Sequence, residues 1–126
     1  MSHENTGLLV ATLFLARDLA HREHLACKGL GSDARHRALG EFYDEIVTLG
    51  DDLAESYMGR FNVDLDIPLL ASGTGEDIIA VLEGQVDWIH TTRYTAVPRE
   101  ETALNNIVDD IELRYYRSLF KLRRLK

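Results

Sequence analysis

A chain of 126 residues with 45% apolar and 28% charged residues is the size of one domain that buries its own core, so residues 1–126 are read as a single unit. A net charge of -7 excludes general affinity for DNA, which needs clustered Lys and Arg against phosphates. No segment reaches the roughly 18 uninterrupted apolar residues of a membrane span, and the single Cys27 points to a reducing, cytoplasmic setting.

The apolar run from Leu8 to Leu15 has no basic segment before it and is ended by Arg17 and Asp18, so no signal peptide is expected. Helical spacing begins instead. Leu8, Thr12, Leu15, Leu19 and Ala26 recur in steps of three, four and seven, which predicts a first helix over about residues 4 to 28. Gly29-Leu30-Gly31 should end it, and Ser32 is placed to cap the next helix, with Asp33 against its positive end. The second helix has the clearest seam, Leu39, Phe42, Ile46, Leu49 and Leu53, and is expected to reach about Gly59.

Residues 60 to 73 hold Pro68, Gly73 and mixed small side chains and read as a long crossover. Thr74 with Asp77 forms a capping pair for a third helix carrying Ile78, Ile79, Val81, Leu82, Val86 and Ile89. The β-branched stretch Thr91 to Val97 reads as a connection, and Pro98, Glu100 and Glu101 suit the first turn of a fourth helix. That helix carries Leu104, Val108, Ile111, Tyr115, Leu119 and Leu122, and its basic end, Lys121 to Lys126, matches a helix C-terminus. Two antiparallel hairpins joined by a long crossover predict an all-α, ferritin-like four-helix bundle.

Four candidate metal ligands lie on the first hairpin: His24, His36, Asp51 and Glu55. His24 and His36 are equally far from Leu30 at the centre of the turn, so in an antiparallel hairpin their imidazoles stand at one height. Asp51 and Glu55 are four apart and share a helix face. His36, Gly40, Tyr43, Val47, Asp51 and Glu55 form one stripe beside the seam. Yet His36 and Asp51 are separated by roughly 22 Å along a helix of 1.5 Å rise, so no metal bridges them within one chain. Two chains packed antiparallel about a two-fold axis near Asp44 would set each histidine pair against the carboxylates of the other. The spacing therefore predicts a homo-oligomer, at least a dimer, with two sites between subunits.

The run His24-Leu25, His36 and Asp51-Asp-Leu-Ala-Glu55 resembles the ferroxidase signature of the Dps family. Asn105-Asn-Ile-Val-Asp-Asp-Ile-Glu-Leu is similar to the family's last helix in layout. The chain as a whole looks closer still to small phage-encoded Dps-like proteins of unknown function. The resemblance implies an intersubunit iron site built from His24, His36, Asp51 and Glu55, and with it iron oxidation. Fe(II) accepts mixed imidazole and carboxylate ligands, and zinc would accept the same set without redox chemistry. Leu25 stands where the family usually has Trp, and Gly40 where it has a further carboxylate.

Three accessory residues flank the set. His21 is one turn before His24, Glu23 is placed to orient an imidazole as an acceptor, and Tyr43 lies on the stripe. A glutamate followed three residues later by histidine occurs nowhere in the chain, which argues against a di-iron centre inside the bundle at Asp109, Asp110 and Glu112. The rival expectation is a metal-free helical bundle that kept the scaffold and binds a host or virion protein, in the cytoplasm or on a phage particle.

Overall fold

The computed structural model describes residues 3–72 and 76–125. Among the described residues there are four helices: α1 (Glu4–Ala26), α2 (Ser32–Phe61), α3 (Ile78–Ala96) and α4 (Thr102–Arg124). No strand occurs among the described residues. Four helices each present one apolar stripe, and burying all four against one another is the simplest way to remove them from water.

The packing forms a ring in which α1 touches α2 and α3, while α4 touches α2 and α3. Contacts along each pair run in opposite directions. His3 meets Tyr57 and His24 meets His36 across α1–α2, Gln85 meets Tyr115 and Arg93 meets Asn105 across α3–α4. Arg60 meets Glu101 and Lys121 meets Glu41 across α2–α4. The diagonal partners α2 and α3 therefore point the same way, and the connection between them must return along the whole bundle.

Residues 62–72 begin that return. In extended form they reach about 36 Å at 3.3 Å per residue, most of the roughly 45 Å of α2 at its helical rise. Val63, Leu65 and Ile67 alternate toward the bundle with Asp64 and Asp66 outward. The segment presses against α1 at Gly7, where a Cβ would overlap the Asp66 carbonyl oxygen. A helix interior normally disfavours glycine by about 1 kcal/mol against Ala; here close backbone approach accounts for it.

The core is a continuous apolar cluster running from Leu9 on α1 through Phe42, Ile46 and Leu53 on α2 to Leu82, Ile89, Ile111 and Leu119. Tyr115 crosses it with its ring edge-on to Phe42, 5.1 Å between centroids. Its hydroxyl donates to Gln85 Oε1 at 3.0 Å, which satisfies a buried polar group.

Several predicted boundaries move. Ser32 is the first residue of α2 rather than its cap; Gly31, in the left-handed region at φ 78°, takes the cap position without a side-chain bond. The expected connection Thr91 to Val97 is helical as far as Ala96. Thr91, Thr92 and Thr95 return their hydroxyls to carbonyls three or four residues back, which lets β-branched side chains sit in a helix. Pro98 precedes α4 instead of opening it, and its carbonyl accepts the Glu101 amide at 2.9 Å. Asp77 is the α3 cap residue but makes no capping bond; the expected partner Thr74, with Gly73, lies outside the described residues. No helix is long and apolar enough to cross a membrane among the described residues.

Candidate functional site

At the α1–α2 turn, the last carbonyls of α1 have no helical amide left to accept. Cys27 N–H reaches the His24 carbonyl oxygen only at 3.4 Å, and the His36 ring donates to the same oxygen from Nδ1 at 3.1 Å. The favour is returned across the turn: His24 Nδ1 donates to the His36 carbonyl oxygen at 2.7 Å. The two rings stack with centroids 3.6 Å apart and planes 23° from parallel.

A carbonyl oxygen can only accept, so each Nδ1 must carry the proton. In the neutral ring Nε2 then keeps its lone pair, the form in which imidazole binds a metal. Backbone carbonyls that hold the second ring nitrogen are a common way of fixing a ligand histidine.

Gly40 gives His24 its place. Helical carbonyls point toward the residue four positions on, which for His36 is Gly40. A Cβ at Gly40 would come within 3.1 Å of His24 Cε1 and 3.3 Å of its Nδ1, closer than ordinary packing. The position that the resemblance marks as a missing carboxylate thus forms the floor on which the His24 ring rests.

Of the accessory residues, two join the pair. His21 packs on Tyr43 at 4.5 Å, Tyr43 stands edge-on to His24 at 5.3 Å, and the Arg17 guanidinium lies 5.8 Å from the Tyr43 ring centre. Glu23 does not. Its carboxylate turns to Arg35 across the hairpin at 3.4 Å, because a fixed cation is a stronger partner than a neutral imidazole whose protons are already used. Asp51 and Glu55 are exposed further along α2, at the helical distance that keeps them from the histidines of their own chain. Among the described residues no chain gathers three or more His, Cys, Asp or Glu side chains that could hold a metal ion.

A second polar cluster gathers Asp109 and Glu112 around Arg93, whose role the sequence did not show. Arg93, 5% exposed, is enclosed between α3 and α4. Its Nη1 lies 2.8 Å from Asp109 Oδ1 and 3.1 Å from Glu112 Oε2, and its Nη2 donates to the Asn105 carbonyl at 2.8 Å and side-chain oxygen at 3.1 Å. His90 Nδ1 meets the other Glu112 oxygen at 2.9 Å. Within this cluster the buried Arg93 Nε is left without a partner. The Tyr116 phenol nearby is held above its ordinary pKa, by desolvation first and then by the Glu112 and Asp87 carboxylates. Two of the carboxylates weighed for a bundle-centre metal, Asp109 and Glu112, are thus taken by a guanidinium. Reading Thr91 to Val97 as a connection hid Arg93; its signal was a lone cation four residues from a helical Ile89.

Residues 24–122 match a family of unknown function, DUF5856. The chain belongs to DUF5856. The matched span opens at His24 and takes in His36, Asp51, Glu55, Gly40 and the Arg93 cluster. No curated protein and no solved structure matches this DUF5856 chain.

Proposed function

We propose that this DUF5856 protein is a ferritin-like, Dps-like metal-binding protein that takes Fe(II) between two copies of itself, where dioxygen as the electron acceptor would oxidise it to Fe(III). The carrying observation is the reciprocal lock of His24 and His36, which fixes both Nδ1 protons on backbone carbonyls and leaves both Nε2 lone pairs for a ligand. The topology supports the same reading, since one long crossover joining two hairpins is the ferritin-like connection.

Two imidazoles are half a site. Asp51 and Glu55 of a second chain would complete it, with the chains antiparallel about an axis near Asp44. Bound iron would supply electron transfer to an oxidant. The chain's own residues hold imidazole orientation through the hairpin carbonyls, and the exposed carboxylates offer hard oxygen donors that favour Fe(III). Zinc would fit the same donors. The lone Cys27, bonded to the Glu23 carbonyl at 3.3 Å, agrees with a reducing cytoplasm.

The test is anaerobic Fe(II) titration with solution mass measured on the same sample, repeated with Zn(II). The expected result is about one ion per chain in a dimer or larger particle, following two sites per isologous dimer. His36→Ala and Glu55→Ala should each abolish uptake. Mixing the two variants should recover about a quarter of it, because half the dimers are mixed and each rebuilds one of its two sites from intact halves. A folded oligomer that binds neither metal would sink the proposal and favour a metal-free interaction protein.

A further inference from the structure

The outward face of α4 carries an apolar stripe with nothing over it. Leu113, Tyr116 and Phe120 are 46%, 45% and 53% exposed and follow the three-four spacing that puts them on one side of a helix. Charge is sorted along the same face. Asp109 and Asp110 precede the stripe, while Arg123 and Arg124 follow it. Asp109 and Arg123 are engaged by Arg93 and Glu83 of their own chain. Asp110 and Arg124 have no ion pair among the described residues, and Arg124 rests 5.7 Å from the Phe120 ring centre.

This order reads the same from either end once acid is exchanged for base. We infer that α4 is a self-association surface, occupied by the α4 of a second copy packed antiparallel about a two-fold axis between Tyr116 and Arg117. In that register the two copies of Tyr116 flank the axis, Leu113 meets Phe120 twice, and the acidic end of each helix meets the basic end of the other. A two-fold interface requires this self-complementarity, and a parallel pairing would set acid against acid. Arg117 meets its own copy beside the axis, a like-charge contact outnumbered by the acid–base pairs at both ends. Tyr and Arg at such a centre are the residue types enriched in protein interfaces.

This surface lies on α4, whereas the proposed metal dimer uses α2, so neither inference depends on the other. Together they would let one chain contact two copies through two different axes and build a particle larger than a dimer.

Sedimentation velocity on the metal-free full chain tests it. Phe120→Glu should halve the mass of the largest species while leaving helical circular dichroism intact, as expected for a side chain already half exposed. Asp110→Arg and Arg124→Asp should each weaken association at least tenfold, and the double reversal should restore it. A wild-type chain that is monomeric at high concentration overturns the inference, as does a mass unmoved by Phe120→Glu. Single reversals that the double does not repair overturn the antiparallel register, and with it the second copy as occupant.

Discussion

The histidine pair at the α1–α2 turn and the Arg93 cluster between α3 and α4 use similar parts toward opposite ends. In both, an imidazole gives its Nδ1 to an oxygen. His24 and His36 use backbone carbonyls, neutral groups that orient the rings and take no charge. His90 uses Glu112, whose second oxygen is held by a buried guanidinium. The first cluster leaves its Nε2 lone pairs unused; the second closes its charges on one another. Ligand chemistry is told apart by what remains unpaired, and residue type alone does not decide it.

The largest effect should come from opening the closed cluster. Arg93→Met leaves Glu112, 8% exposed, without its cation, and stripping one partner from a buried pair costs about 3–5 kcal/mol. Urea unfolding should show this loss, and Arg93→Met with Glu112→Gln should regain much of it by removing the stranded charge. A loss below about 1 kcal/mol would mean that the cluster behaves as a hydrated surface network, and the contrast with the hairpin would fail.

A middle effect separates binding from stability at the hairpin. Gly40→Ala gains helix propensity of about 1 kcal/mol, so α2 should be no less stable to heat. The new Cβ crowds His24 Cε1 and Nδ1, so the ring must give by a few tenths of an ångström, which loosens its bond to the His36 carbonyl. Metal affinity is expected to fall about tenfold, or 1.4 kcal/mol, read by competition titration with Zn(II). Unchanged affinity would mean that the carbonyl lock does not prepare the ligand. Gly40 would then be merely a position where a carboxylate is missing.

The seams of α1, α2 and α4 were legible because their apolar residues recur at helical spacing, and the equal distance of His24 and His36 from Leu30 placed the pair at one height. Other features depend on contacts that a linear reading cannot supply. Gly7 carries its meaning only against the Asp66 carbonyl, and Gly40 only against the His24 ring. Thr91 to Thr95 have weak helix preference, and tertiary packing of Ile89, Arg93 and Ala96 overrides it. Glu23 was placed beside the right ring in sequence, but Arg35 arrives from the other side of the turn.

The smallest effect gives the cleanest check of the contrast. His90 is also a histidine with Nδ1 committed, and its side chain is 66% exposed. Removing it leaves Glu112 bound to Arg93, so His90→Ala should change stability by less than about 1 kcal/mol, as for other exposed pairs. Zn(II) uptake should be unaltered, because Asp109 and Glu112 are already taken by the guanidinium. Zn(II) titration and urea unfolding of one preparation read both quantities. Should His90→Ala lower metal uptake while His36→Ala does not, the metal belongs between α3 and α4, and the hairpin carbonyls serve only to cap α1.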